Sequence, residues 1–397
     1  MPWPSCASEK ITVEQLEQIL ARHAFGHDSA APETEIIDND LVQQLGSDDQ
    51  LLASIPGLEL SERLSTTTMF RLVWRYHLGP HMQRALEELS DRTALLKPPD
   101  SEQPNLPVPD AAAQQGMLRA AQDYVLRELS HLPNFIATQT TTRFDDAPPS
   151  LENWWVQLAT AGGGMHRLGS RQRQITFRDG KEVTDGNSTD PKFQVNVLES
   201  RGEFGTEAAV VVMDVGQGSI AFSHWEKTMA GIAAVYQYAV PRKSSHYEVK
   251  EECGKHGSFQ DSPAYHGTLA LDPKTGAIFR MTLEAESNPD DPVSHVASVI
   301  EYGPVVLGHR RTICPLRSLA FLVKERDYCF RGSRKLHKPV TMINETIFSN
   351  YRRFGSSATF AFDGRLAAQE SQRNTSEKTA GGAEKNLSAK PSTAGVN

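Results

Sequence analysis

Residues 267–285 read GTLALDPKTGAIFRMTLEA and contain two predicted strands around one turn. Apolar side chains dominate both arms, which is typical of strands in a sheet that is covered by other residues. Between the arms, Pro273 fixes one φ angle and Gly276 can take the left-handed conformation, so residues 272–276 predict a turn. The stretch is therefore predicted to form an antiparallel hairpin.

The same alternation extends on both sides of this hairpin, from Pro133 onward. Asp179-Gly180 marks a second hairpin, because both residues favour the positive φ angles of a two-residue turn. Short turns between consecutive strands predict an antiparallel meander, and one alternating apolar face predicts one covered side. The other predicted strands are 135–144, 171–177, 181–183, 193–197, 220–225, 233–240, 246–250, 296–302 and 312–323, with a short helix at 203–215.

Residues 1–96 are predicted to form an acidic helical segment. Thr12 and Gln15 form a capping box ahead of an apolar stripe at helical spacing. Gly79-Pro80 separates two further helices, predicted at 67–78 and 81–96. Because each stripe is apolar on one side only, these helices must pack on one another or on the rest of the protein.

A proline-rich linker at 97–110 leads to a longer amphipathic helix at 111–131, which is the natural cover for the sheet. We therefore predict an α+β protein in which the helical segment precedes a curved antiparallel sheet with a covering helix, at 111–345. Residues 346–397 are predicted to be a C-terminal extension, disordered from about 371, where large apolar residues are missing.

Charge is unevenly distributed along the chain. The 41 Lys+Arg and 49 Asp+Glu give a formal charge of −8. Residues 1–110 carry −10, with 8 basic and 18 acidic side chains, whereas residues 310–353 hold eleven basic and three acidic ones. The asymmetry is compatible with docking of residues 1–110 on the rest of the chain, with an anionic partner, or with simple solvation of charge.

Composition excludes several classes of protein. Hydrophobic residues make up 39% of the chain, near the globular range once glycine is added, which argues against a disordered chain, a collagen and a coiled coil. No run approaches the ~20 apolar residues of a membrane-spanning helix, so no transmembrane segment is predicted. A pI near 5.9 and the lack of a nucleic-acid module argue against a nucleic-acid partner.

No catalytic signature is found in the sequence. There is no Gly-x-Ser-x-Gly elbow, and Gly216-Gln-Gly218 lacks the lysine of a phosphate-binding loop. Cys253 and His256 form one ligand pair without the second pair that a structural zinc site needs. We therefore predict no catalytic residue, no metal site and no cofactor.

Aromatic side chains on the predicted strands are the candidate ligand-binding residues. Such residues can line a concave apolar site, and they also suit ordinary packing of a sheet. The candidates are Trp225, Tyr236, Tyr238, Tyr247 and Tyr265.

The four cysteines leave the redox compartment open. Cys253 and Cys314 lie at the ends of predicted strands, and Cys329 follows in the basic stretch. In an exported protein we expect one disulfide among these three, with Cys253–Cys314 as the candidate pair. In a cytosolic protein all three would be small buried apolar residues.

Several short motifs resemble a family of uncharacterised exported proteins of soil bacteria. The resemblance spans residues 11–330 and consists mostly of turn chemistry. The motifs are Leu132-Pro-Asn-Phe135, Thr141-Thr-Arg-Phe144, Arg201-Gly-Glu-Phe-Gly205, Ser245-His-Tyr-Glu-Val249, Tyr265-His-Gly-Thr-Leu-Ala-Leu-Asp-Pro-Lys-Thr-Gly276, Glu301-Tyr-Gly-Pro304 and Cys314-Pro-Leu-Arg-Ser318.

More distantly, the strand–turn–strand unit followed by Tyr302-Gly-Pro304 is similar to the lipoprotein-carrier half-barrel of periplasmic lipoprotein chaperones. That similarity implies a curved sheet that wraps a helix and holds acyl chains, and a location in the periplasm or outside the cell. No signal peptide is recognised, because Met1–Cys6 lead to a helix cap without a basic start or an apolar run. Either the true start lies upstream or the protein stays in the cytoplasm.

Three functional hypotheses follow. The first is a non-enzymatic, extracytoplasmic binding or carrier protein for an apolar or lipid-like ligand. The second is an envelope interaction or scaffold protein that contacts a protein partner through its acidic helices and basic late segment. The third is a hydrolase whose site is assembled in space around His224, His246 or His266.

Overall fold

The structure is a computed structural model that describes parts of the first 354 residues. The predicted strand at 193–197, Cys253 and the C-terminal extension beyond 354 lie outside the described residues. The described residues are 10–25, 55–129, 131–146, 165–184, 198, 202–252, 258–288, 291, 293–324 and 340–354.

Five α-helices are present in this part of the chain, and none of them is long and apolar enough to cross a membrane. Side chains set where helices begin: Asp110 accepts a hydrogen bond from the backbone amide of Ala113. Reciprocal bonds between Thr12 and Gln15 confirm the predicted capping box. The helices are α1 (Val13–Phe25), α2 (Thr66–Arg75), α3 (Pro80–Arg92), α4 (Ala111–Tyr124), which continues as a π-helical turn at Val125–Leu129, and α5 (Thr206–Val215).

The strands begin after α4, where the sequence changes from helical to alternating periodicity. They are β1 (Phe135–Asp145), β2 (His166–Arg178), β3 (Lys181–Thr184), β4 (Ser219–Thr228), β5 (Gly231–Val240), β6 (Val249–Glu252), β7 (Ser258–Asp261), β8 (Tyr265–Leu271), β9 (Ile278–Ala285), β10 (Val293–Leu307), β11 (Arg310–Lys324) and β12 (Val340–Arg353). The strand β12 was not predicted, and it carries the sheet past residue 345 to Arg353.

Ten of these strands form one open sheet, in which every neighbouring pair is antiparallel. Their order is β3-β2-β1-β12-β11-β10-β9-β8-β5-β4, so β3 and β4 are the edges. Most neighbours are consecutive in sequence, as in a meander. The exceptions are β12, which pairs with β1, and the separate hairpin β6–β7, which interrupts the path from β5 to β8. The prediction of an α+β protein with a large antiparallel sheet is confirmed.

Two turns have the backbone conformation that the sequence predicts. Asp179 and Gly180 have φ angles of 53° and 76°, and Gly276 has a φ of 72° between β8 and β9. Gly276 also lies directly against the backbone of α4 at Ala120 and Ala121, where a side chain would overlap that backbone. The turn between β8 and β9 is therefore seated on the covering helix.

The helices α4 and α5 cover one face of the sheet, which we call the α4 face. Met117 and Ala121 of α4 and Val211 of α5 belong to the same apolar core as side chains from the strands. Phe135 and Tyr236 are fully buried in this core. The predicted covering role of the helix near 111–131 is confirmed.

The opposite face, which we call the α3 face, is also covered at its centre. Ala94, which follows α3, is buried with Val299 of β10 and Leu319 of β11, and Leu95 packs against the same cluster. The prediction of one covered side was therefore wrong. Polar residues alternate on this face, as they would against water, but at its centre they contact the helical segment.

Charged side chains tie the helical segment to the α3 face. Arg63 pairs with Glu226 of β4, and Asp91 pairs with Arg317 of β11. Arg63, Glu226 and Asp91 are buried, and burial of a charge is tolerated only when it is paired. The helical segment contributes one cation, Arg63, and one anion, Asp91, to these contacts. Its packing on the sheet therefore depends on specific ion pairs and not on its net negative charge.

Candidate functional site

The five predicted ligand-binding aromatics lie together against the core of the α4 face, and four of them donate hydrogen bonds to the protein. Tyr238 donates to the carbonyl of Thr282 at 2.7 Å, and Tyr265 donates to the carboxylate of Asp214 at 2.8 Å. The other two bonds join Tyr236 to the Gln114 carbonyl (3.4 Å) and Trp225 to the Pro107 carbonyl (2.9 Å). Three of these bonds tie the sheet to α4, α5 and the linker, and the bond of Tyr238 lies within the sheet.

The rings of these residues form two packed groups. Phe222 contacts Trp225 and Tyr236, with ring centroids 5.5 and 5.8 Å apart. The ring centroid of Tyr265 lies 6.0 Å from that of Tyr238 and 5.8 Å from that of Tyr247. Tyr236 and Tyr265 are fully buried, so these two rings are packed as core residues. Ligand binding by the five aromatics stays a prediction.

The sheet divides at one place, between β9 and β10. The two strands pair only over residues 296–301 of β10. Beyond Glu301, β10 continues with β11 as a two-stranded arm to Leu307, whereas the start of β9 pairs with β8 alone. Pro304 lies in the arm and has no amide hydrogen to donate to a neighbouring strand. We call the opening at this division the wedge cleft.

The wedge cleft has a volume of about 930 Å³, and its walls are polar and apolar in about equal parts. Tyr124 of α4, Phe279 of β9 and Ile313 of β11 line it, together with Ala120 and Ala277. Small-molecule sites usually have volumes of roughly 300–1,000 Å³. Burial raises the pKa of Tyr124, so its phenol stays neutral at physiological pH. The cleft is therefore large enough, and apolar enough on one side, to bind a small molecule.

Charged side chains surround the mouth of the wedge cleft. Arg310 pairs with Glu128 at 2.5 Å, and Arg127 pairs with Asp123 at 3.3 Å. Arg311 also lines the cleft, and it has no ion-pair partner among the described residues. Two of the three arginines are thus neutralised by carboxylates, and Arg311 remains for an acidic group of a ligand.

Two further polar residues line this cleft. Asp272 accepts hydrogen bonds from the amide of Lys274 at 3.1 Å and from the hydroxyl of Thr275 at 2.6 Å, so its carboxylate is used by its own turn. The Thr312 hydroxyl is buried and has no hydrogen-bond partner in the described part of the chain. An unpaired buried hydroxyl is costly, which makes Thr312 a candidate contact for a polar ligand atom.

Two glutamates are buried beneath α5. Glu207 accepts a hydrogen bond from the hydroxyl of Ser298, and Glu203 accepts one from Ser318 at 3.4 Å. Burial and the nearby charge of Glu203 raise the pKa of Glu207 to about 7, although the bond from Ser298 opposes the shift. Glu207 does not line the wedge cleft. Its carboxyl is a buried group of the core and not part of that cleft.

His246 is held by a buried carboxylate. Its Nδ1 lies 2.5 Å from Asp214, and its backbone amide donates to the same side chain at 2.8 Å. The imidazole is mostly exposed, and it lines neither the wedge cleft nor the second cleft described below. The carboxylate orients the ring as in a catalytic triad, but no nucleophile contacts it among the described residues.

His224 and His266 lie on the α3 face. The hydroxyl of Ser223 is 3.0 Å from Nδ1 of His224, and Nε2 of His224 is 3.5 Å from Glu226. Serine, histidine and carboxylate are thus neighbours, although Nε2 of His224 has no hydrogen-bond partner among the described residues. His266 has Nδ1 3.6 Å from Glu286.

Cys314 is the one cysteine among the described residues. Cys314 is fully buried, it forms no disulfide with another described residue, and burial raises the pKa of its thiol to about 12. Cys253 and Cys329 lie outside the described residues, so the predicted disulfide is untested. In this part of the chain, no three His, Cys, Asp or Glu side chains are grouped as a metal site.

The wedge cleft was not predicted from the sequence. Phe279 and Ile313 were assigned to ordinary strands, and Tyr124 was assigned to the apolar stripe of the covering helix. The available signal was Gly303-Pro304, because proline inside a strand excludes a regular neighbour on one side. The predicted strand 296–302 ends just before this pair, whereas the observed strand continues beyond it and only the pairing with β9 ends.

Comparison with known proteins identifies no family for this chain. No family model matches it, and no curated protein matches it. Among solved structures, a DUF1329 family protein from Desulfovibrio piger ATCC 29098 is similar over 63% of this chain and 98% of that chain, with 10% sequence identity and a TM-score of 0.28. At that TM-score the likeness supports no conclusion about fold or function.

Proposed function

We propose that this protein binds an anionic amphiphile in the wedge cleft. One observation carries the proposal: an apolar wall that includes Tyr124, Phe279 and Ile313 lies beside Arg311, which has no ion-pair partner among the described residues. The apolar body of a ligand would leave water on that wall. Its carboxylate or phosphate would accept paired hydrogen bonds from the guanidinium.

The protein is further proposed to be an extracytoplasmic carrier, and the resemblance to the lipoprotein-carrier half-barrel supports this step. A carrier must release its ligand as well as bind it. A cleft that is open to solvent allows both entry and release. The aromatic layer of the α4 face offers a larger apolar surface, but its most buried rings would be accessible only if α4 moved away.

The test is a calorimetric titration of the full chain with three twelve-carbon amphiphiles below their micelle concentrations. We expect dodecyl phosphate to bind at least about ten times more tightly than dodecyltrimethylammonium, with neutral dodecyl maltoside in between. Arg311→Gln should weaken dodecyl phosphate binding about tenfold, since a charged hydrogen bond contributes roughly 1.5–3 kcal/mol. The matched control is Arg167→Gln, an exposed arginine on β2, which should bind like the wild type.

Equal affinity for the anionic and cationic amphiphiles would contradict the proposal. So would an Arg311→Gln variant that binds dodecyl phosphate as tightly as the Arg167→Gln control.

A hydrolase is the second candidate function, and the alignment of Ser223, His224 and Glu226 is the observation that favours it. If it is correct, a fluorophosphonate probe should label the wild-type chain and should fail to label Ser223→Ala. Absence of labelling in the wild type, or equal labelling of the variant, would remove this candidate.

A further inference from the structure

A second cleft, of about 570 Å³, lies on the α3 face. Its walls are residues 95–98, which lead out of the helical segment, and the strands β4, β5, β8 and β9. It shares no lining residue with the wedge cleft. The two clefts are therefore separate sites.

Basic side chains outnumber acidic ones around this second cleft. The carboxylates that line it are those of Glu226 and Glu284. The basic residues that line it are Arg63, Lys97, His224, His266 and Arg280. An excess of positive charge in a cleft with low-dielectric walls attracts anions.

The charge of Glu226 is already used by its neighbours. Burial alone would raise its pKa, but the close contact with His224 and the charges of Arg63 and Arg280 lower the pKa to about 2. Arg63 is the closest of these, and the two side chains form a buried ion pair. Glu226 therefore stays ionised, and the cation it neutralises most directly is Arg63.

Arg280 is compensated less completely. Its Nη2 donates to the carbonyl of Ala94, while its Nε lies 3.8 Å from Glu301 and has no hydrogen-bond partner in the described part of the chain. Burial and the charge of Arg63 lower the pKa of Arg280 to about 10, although the charges of Glu226 and Glu301 oppose the shift. A buried guanidinium in this setting would be stabilised by an additional anion.

Two basic side chains, those of Lys97 and His266, lie at the exposed side of the cleft. Lys97 is exposed, and its carbonyl accepts the backbone amide of Arg63, which fixes its backbone beside the cleft. Its ammonium group forms no ion pair with a described residue. The His266 side chain is half exposed. Leu95 and Val235 provide an apolar surface in the same cleft.

We propose that this second cleft binds a small organic oxyanion, either a carboxylate or a phosphate monoester. Arg280, Lys97 and His266 hold the charged group, and the apolar part lies against Leu95 and Val235. The proposal rests on the arrangement of cations around one cleft and does not depend on the function proposed for the wedge cleft.

The experiment is a titration of the full chain at pH 7 with phenyl phosphate, benzoate, inorganic phosphate and neutral benzamide. We expect phenyl phosphate, benzoate or both to bind at least about tenfold more tightly than benzamide. The anion that binds more tightly identifies the preferred group. The double variant Lys97→Gln/His266→Gln should lose at least about tenfold in affinity for it, because the ammonium contact and the imidazole contact are both removed.

Two control variants make the result specific. Lys243→Gln removes an exposed lysine outside both clefts and should bind the aromatic anion like the wild type. Arg311→Gln removes the wedge-cleft arginine, and adding Lys97→Gln/His266→Gln to that variant should cause the same tenfold loss, so this site and the wedge site can fail separately. Three results would overturn the proposal: neither aromatic anion binds, the Lys97→Gln/His266→Gln variant retains full affinity, or inorganic phosphate binds as tightly as phenyl phosphate.

Discussion

Replacing Gly276 with alanine is expected to lower the free energy of unfolding by about 3 kcal/mol. Two effects add in this variant. The φ of 72° is strained for any residue with a Cβ atom, and the new methyl group would overlap the α4 backbone at Ala120 and Ala121. Because that contact is with backbone, no side-chain rotation relieves it. Urea denaturation followed by circular dichroism measures the loss.

The matched control is Gly116→Ala, on the exposed side of the same helix. A Cβ atom there meets nothing within 4 Å, and alanine is the better helix former, so we expect a gain of about 0.5–1 kcal/mol. The same substitution should thus have opposite signs at two positions. A Gly276→Ala variant as stable as the wild type would contradict the close seating of the turn on α4.

Replacing Glu207 with glutamine is expected to make the protein more stable at pH 8, by about 3 kcal/mol. The native carboxyl remains protonated up to a pKa of about 7, whereas the unfolded one ionises above its usual 4.5. Between these values the native state holds the extra proton, so raising the pH favours unfolding. Stability contributed by the neutral carboxyl is present at low pH and is lost as the pH rises to about 7.

Glutamine stays neutral, accepts the hydrogen bond from Ser298 and removes this dependence. The gain over wild type should fall to about 1.5 kcal/mol at pH 5.5. Denaturation at the two pH values measures the difference, and Glu248→Gln, at an exposed position before β6, should show none. If Glu207→Gln gained no more stability at pH 8 than at pH 5.5, the carboxyl would not be held neutral by burial.

Local chemistry explains why much of the sheet could be predicted. The turns at Asp179-Gly180 and at Gly276 depend on residues within the turn itself, and their positive φ angles agree with the structure. The capping box of Thr12 and Gln15 is equally local. Short turns of this kind bring consecutive strands together, which accounts for most of the observed strand order.

The covering of the α3 face could not be predicted, because alternation does not distinguish water from a charged partner. Glu226 and Arg317 have the spacing of solvent-facing residues, yet they are paired with Arg63 and Asp91 across more than a hundred residues of sequence. The uneven charge of the chain hinted at such docking. It did not identify the pairs, since Arg63 is a cation within the acidic front.

The wedge cleft depends on where two strands stop pairing, and that register is a non-local property. Phe279 and Ile313 have the sequence pattern of strand residues, and both do lie in strands. The cleft forms because the pairing between β9 and β10 ends and their arms diverge. The five aromatic candidates were recognised from their alternation, but the sequence did not show that four of them donate hydrogen bonds within the protein.

Hydrogen–deuterium exchange of the full chain, with and without saturating dodecyl phosphate, tests the wedge-cleft proposal most directly. It predicts slower exchange in three segments, 120–128, 275–279 and 304–313, and unchanged exchange in β2, which lines neither cleft. Protection of residues outside those segments only, or no protection although the ligand is bound, would contradict it.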